Sequence, residues 1–210
     1  MIHVAKFPEP PSQPALQALG PALLTLPSGT LIWRMYCRGG AHPTTWNQFR
    51  YYGPTDARFD HHEPPSCVQV RGILYGAKSG PTCLAEVYQA TRTIDRNDRD
   101  PWLVGFRITN DVTLLDLTGT WVTRVGASTA IHSGSRVRAR RWSMAFYAAF
   151  PDVEGIAYCS SMDANRQAFA LYERAQPSIP SAPEFHRSLA DPAILRYVDK
   201  AALGFGYTVV

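Results

Sequence analysis

The 210-residue chain has no apolar run approaching the ~20 residues needed to cross a bilayer, so no membrane-spanning helix is expected. Its opening stretch, MIHVAKFPEPPSQP, lacks the charged-then-apolar pattern of a secretory signal, and a cytoplasmic location is expected. Cys37, Cys67, Cys83 and Cys159 are scattered, with no CxxC pair and no Cys/His spacing. That speaks against a zinc site and against a disulfide framework, and leaves reduced, partly buried thiols. No G-x-G-x-x-G follows a strand-like run, which disfavours a Rossmann-type site, and no G-x-S-x-G marks a nucleophile elbow. Charge is sparse as well. Asp, Glu, Lys and Arg make up 18% of the chain and the net charge is +4, which suits an anionic ligand but does not demand a nucleic acid.

What is present is a globular composition, 45% hydrophobic, with 17 prolines and 15 glycines that imply many loops. The length fits one domain with a real core. No internal repeat or low-complexity segment breaks it, and a single α+β domain over residues 1–210 is predicted.

The most informative stretch is Gly72 to Thr91, GILYGAKSGPTCLAEVYQAT. The apolar run Ile73-Leu74-Tyr75 stops at Gly76 and again at Gly80-Pro81, and a helical pattern opens near Thr82. This reads as strand, tight turn and helix start. An aromatic at a strand end with Glu86 on the following helix is a usual wall of a small-molecule pocket. The plainer reading is a core Tyr75 and a solvated Glu86.

Upstream, residues 1–29 are Pro-rich and are expected to wrap the surface, with a short helical turn over Ala15 to Leu19. Thr30 to Cys37 (TLIWRMYC) is the first clear strand. Arg34 lies inside it and must meet an anion or reach solvent, because an unpaired buried guanidinium is costly. Gly39 to Ser66 is a long aromatic- and turn-rich loop, a type that is usually functional. Within it, Arg58 beside Phe59 suits phosphate and ring recognition. His61, His62 and Glu63 are adjacent, and adjacent ligands rarely converge on one ion, so no metal site is expected.

Downstream, Trp102–Ile108 and Val112–Leu117 read as strands joined by an Asn110-Asp111 turn, which predicts a hairpin. Gly119 to Ser135 is irregular, and Ser135 can cap the helix that follows. On that helix Ala139, Trp142, Phe146, Ala149 and Phe150 form one apolar face, flanked by Arg136, Arg138, Arg140 and Arg141. Those arginines are either a solvated flank or a nucleic-acid contact. Gly155–Ser160 and Ala168–Tyr172 read as further strands, and Pro192–Ala202 as a last helix. A hydrolase using Cys159 or Ser160 with a histidine is a second alternative, without motif support.

In order, WRMY (Arg34), ARFD (Arg58), LYGAKSGPTCLAEV (Tyr75, Glu86), LLDL, a Trp-containing helix and GIAYCSS (Ser160) resemble the RES domain family. The similarity runs from about residue 31 to 172. Residues 1–30 and 173–210 have no clear counterpart and read as accessory. Many members follow the Ser with a glycine pair and an Asn, where this chain has MDANRQA. The resemblance implies a mixed, mostly antiparallel sheet with flanking helices, similar to ADP-ribosyltransferases. It implies a toxin that cleaves NAD, as substrate rather than resident cofactor, at the nicotinamide–ribose bond. The acceptor is inorganic phosphate or water, and transfer of ADP-ribose to a protein is the alternative. It implies Glu86, Arg34 and Ser160 as catalytic residues, and Arg34, Arg58, Tyr75 and Ser160 as residues that hold NAD. The implied partner is an antitoxin of a DNA-binding type, within a complex where the toxin can self-associate; neither direct nucleic-acid binding nor a membrane is implied.

Overall fold

A computed structural model describes residues 5–210, so the first four residues of the opening stretch lie outside it. A short helix, α1 (Gln13–Leu19), precedes strand β1 (Leu23–Leu26), which the weak patterning of the N-terminal segment did not announce. Strand β2 (Leu31–Cys37) follows, and the long loop after it contains β3 (Arg50–Gly53). Next come β4 (Cys67–Ala77), α2 (Gly80–Val87), β5 (Thr93–Ile94), β6 (Pro101–Arg107) and β7 (Val112–Asp116). Two short helices, α3 (Trp121–Arg124) and α4 (Ala130–Ser133), occupy the region expected to be irregular and lead to α5 (Arg136–Ala149). Strands β8 (Gly155–Cys159), β9 (Gln167–Tyr172) and β10 (Phe185–Ser188), helix α6 (Leu195–Phe205) and β11 (Thr208–Val209) complete the chain.

Among the described residues nine strands form one sheet in the order β1-β7-β8-β9-β4-β2-β6-β10, with β3 added to β4. Every pairing in it is antiparallel except β7–β8, which fits the predicted mixed, mostly antiparallel α+β architecture. The flanking segments are built into this sheet: β1 pairs with β7, and β10 with β6.

The predicted hairpin between β6 and β7 is not formed. The Asn110-Asp111 turn bends the chain, but β6 pairs with β2 and β7 with β1. The bend is shared with Pro27–Thr30: Gly29 N–H donates to the Ile108 carbonyl at 2.9 Å, and Asp111 Oδ1 accepts from Ser28 N–H at 2.7 Å. Two long antiparallel strands therefore turn together and enter opposite ends of the sheet. Turn residues report a change of direction, whereas the choice of partner follows the surface that can be buried. That surface is an inner core of Leu26, Ile32, Leu74, Phe106, Val112 and Phe169, drawn from both halves of the sheet. A larger core packs the other face of the sheet against α2, α5 and α6, with Leu84, Trp142, Phe146 and Val198 at its centre. The alternation of β2 turns Ile32, Arg34 and Tyr36 to one buried face.

Candidate active site

The cleft is built around the β4–α2 turn. Glycine is needed at Gly76 because a Cβ there would lie 2.6 Å from Ile32 Cγ2, where β2 crosses β4. Gly80 faces the Tyr197 hydroxyl. The helix starts at Gly80, two residues earlier than the expected Thr82. Ser79 is its N-cap: the backbone is extended and the side chain accepts from Thr82 N–H at 3.2 Å. The expected apolar arc divides, with Leu84 and Tyr88 in the core and Val87 exposed on the cleft wall.

Glu86, in the last turn of α2, points into a cleft of about 320 Å³. Four arginines line that cleft (Arg34, Arg50, Arg58 and Arg136), and Glu86 is its one carboxylate among the described residues. Beside Glu86 the cleft deepens into a recess of about 60 Å³ walled by Met35, Tyr75, Cys83, Tyr158 and Ala168.

Arg34 is 9% exposed, so it does not reach solvent as an alternating-strand arginine often does. Its Nη2 donates to the Gln48 carbonyl at 3.4 Å, its Nε has no hydrogen-bond partner, and no carboxylate pairs with it among the described residues. Burial pushes its guanidinium down to about 10, and Arg50 adds a smaller push in the same direction. It stays charged at neutral pH, and so an anion is the missing partner.

Arg58 is partly spent on structure. Its Nη1 donates to the Ile131 and Gly134 carbonyls at 3.1 and 2.9 Å, and burial and then Arg136 lower its pKa. Tyr75 Oη donates to the Arg58 carbonyl at 3.0 Å, which ties the strand end to that loop. Burial, followed by Asp60, pushes the Tyr75 phenol well up; burial, followed by Glu86, does the same to Tyr158. Both rings therefore face the cleft as neutral phenols.

Ser160 is fully buried and lies behind Glu86, away from the cleft lining. Its Oγ donates to Glu86 Oε1 at 2.5 Å and accepts from the Met162 and Asp163 N–H groups, each at 3.1 Å. Asp163 in turn accepts from Thr82 Oγ1 at 2.7 Å, so the 160–163 turn grips α2 at both ends. The MDANRQA segment thus has a part in holding Glu86.

The alternatives read from the sequence fare differently. Ser160 meets a carboxylate and no histidine among the described residues. Burial, with Asp116 adding to it, raises the Cys159 pKa, the opposite of thiolate activation. Of the basic helix, Arg138 and Arg141 pair with Glu9, Arg140 lies near Asp56, and Arg136 turns into the cleft. His61 and His62 are buried. His62 Nδ1 meets Asp60 Oδ1 at 2.5 Å, and the His61 ring packs on Tyr147 and Tyr172. No group of three potential metal ligands gathers among the described residues.

Sequence reasoning missed Arg50 and Tyr158 and placed Arg136 elsewhere. Arg50 carried no motif, and Arg136 sat in a run whose helical phase scatters its members.

The sequence profile of the RES domain matches residues 31–193, and the chain belongs to that family. No curated protein matches it in sequence. Among solved structures it is similar to the M. tuberculosis MbcT–MbcA toxin–antitoxin complex, with a TM-score of 0.57 at 17% identity. The match covers 90% of this chain and 96% of that one, which establishes a shared fold.

Proposed function

We propose that the cleft binds NAD and that the protein cleaves it at the nicotinamide–ribose bond, by phosphorolysis or hydrolysis. The observation that carries this reading is Arg34, a buried guanidinium that meets no carboxylate among the described residues and faces a cleft whose one carboxylate among them is held in place by Ser160. Four arginines against one Glu leave an excess positive charge that suits a pyrophosphate and, beside it, a free phosphate. The recess lined by Tyr75 and Tyr158 is mostly apolar and offers aromatic side chains to a nicotinamide ring.

Loss of nicotinamide builds positive charge on the ribose. The Glu86 carboxylate opposes that charge, so it stabilises the transition state more than bound NAD. The nicotinamide leaves with the bonding electrons of the C–N bond, and a phosphate oxygen, or a water oxygen that releases one proton to solvent, then bonds to the ribose carbon. Ser160, hydrogen-bonded to Oε1, holds the carboxylate in orientation and acts through it. Arg34 and Arg58 hold the phosphates. Family membership supports the reading, and likeness to a toxin–antitoxin complex supports a toxin role restrained by an antitoxin partner.

The deciding experiment incubates purified protein with NAD, with and without phosphate, and identifies products by mass spectrometry. Nicotinamide with ADP-ribose marks hydrolysis, and nicotinamide with a phosphorylated ADP-ribose marks phosphorolysis. Intact NAD in both arms refutes the reaction, while ADP-ribose found only on added protein redirects it to protein modification.

A further inference from the structure

Next to the cleft lies an open groove of about 650 Å³ that none of the motifs explains. The two share Thr44, whose N–H and hydroxyl both reach the Cys37 carbonyl, at 3.0 and 3.3 Å. This pins the Pro43–Gln48 loop as a low ridge between them. Arg34 reaches the ridge through its bond to the Gln48 carbonyl. The groove is a built surface. Tyr36 Oη and His186 Nε2 are 2.6 Å apart, and Arg38 Nε donates to Tyr36 Oη at 3.1 Å while its guanidinium lies 3.5 Å from the Trp102 ring centre. On the ridge side Trp46 is half-buried against Phe106, 5.5 Å between ring centres. Next to it is Asn47, exposed, whose Oδ1 accepts from Thr45.

A cleft of about 320 Å³ sits at the small end of ligand sites. A dinucleotide whose nicotinamide end and phosphates fill it must place its second nucleoside outside. We infer that the groove over Trp46 and Asn47 receives the adenosine end of the substrate, the purine stacking on Trp46 and its polar edge meeting the Asn47 amide. This rests on the NAD reading above. Aromatic faces hold bases by stacking, and a carboxamide matches the donor–acceptor edge of adenine. Thr44 is where the chain of phosphates crosses from Arg34 to the groove.

Calorimetric titration with three probes tests the assignment: AMP, nicotinamide mononucleotide and NAD. Trp46→Ala should weaken AMP binding on the order of 10- to 100-fold, and Asn47→Ala several-fold, with nicotinamide mononucleotide unaffected by either. Because Trp46 also packs on Phe106, the exposed Asn47 supplies the arm that folding cannot confuse. Glu86→Gln should leave AMP affinity unchanged. AMP binding indifferent to both groove variants overturns the assignment, as does a wild type that does not bind AMP. If AMP binds through Trp46 and NAD stays intact, the groove stands and the proposed reaction falls. If NAD is cleaved with its KM unmoved by either variant, the reaction stands and the groove falls.

Discussion

Two buried charges lie close together in this fold and are treated in opposite ways. Asp60, after β3, is fully buried and its carboxylate accepts from Arg50, from the backbone and hydroxyl of Thr55, and from the backbone and ring of His62. Burial alone would raise its pKa, but those bonds outweigh it and hold the group far below the ordinary carboxylate range. Arg34 is buried to a similar degree and has one long bond to a carbonyl. The first arrangement is complete within the chain; the second has no anion among the described residues. The difference separates a charge paired within the fold from one left open to the cleft, and Arg50 joins the two by bonding Asp60 while lining the cleft.

The largest expected effect strikes the complete side. Asp60→Ala strands the Arg50, Thr55 and His62 donors and should cost about 3–5 kcal/mol of stability. Urea unfolding should show a lower midpoint with an unchanged slope. A loss under about 1 kcal/mol would mean that water replaces the carboxylate, and the contrast with Arg34 would dissolve.

Next comes the proposed reacting centre. Glu86→Gln keeps size and hydrogen-bonding reach, and should lower kcat for NAD cleavage on the order of 10²–10³ while NAD affinity barely moves. Its melting temperature should match wild type, since Glu86 is half-exposed. A normal kcat removes Glu86 from the chemistry.

Acid should unpick a neighbouring carboxylate cluster, that of Glu173, with a smaller amplitude. Burial opposes ionisation of Glu173, yet the His61 ring 3.8 Å away and the bonds from the Tyr147 hydroxyl and the Gly72 N–H bring it down from 4.5 to about 2. A carboxylate depressed in the folded state stabilises fully above its unfolded pKa, and that contribution is lost as pH falls through the folded value. For Glu173 the window is pH 4.5 to about 2 and the amplitude at most about 3 kcal/mol. His61, kept neutral mainly by burial, adds loss of the same sign once pH drops below 6.5. Thermal melts from pH 7 to 3 should therefore fall steadily, and Glu173→Gln should flatten the lower part. A curve that Glu173→Gln leaves unchanged assigns the acid sensitivity to other groups.

The smallest effect is the sharpest contrast. Arg34→Met keeps most of the buried volume and removes a charge the fold does not pair. Stability should hold or rise, while NAD binding weakens by about 1.5–3 kcal/mol as a charge-assisted contact is lost. If Arg34→Met unfolds as readily as Asp60→Ala, Arg34 is structural and the two buried charges are alike.

Parts whose cause is local can be read along the chain alone. An apolar, aromatic-rich run specifies β2, glycine and proline punctuation marks the β4–α2 turn, and the spacing of Trp142, Phe146 and Ala149 sets the buried face of α5. Arg34, Tyr75 and Glu86 were legible as candidates because they stand in ordered motifs around those elements. Tertiary structure alone decided the partners. Asn110-Asp111 looks like a hairpin turn from within its own window. Only the apolar surface shared by β1, β2, β6 and β7 makes it a bend between two ladders. Likewise the grip of Ser160 on Glu86 spans 74 residues, and Arg50 and Arg136 reach the cleft from β3 and α5. A propensity acts over one or two turns of chain, whereas the anion-seeking cleft arises from burial, which is settled only when distant segments pack.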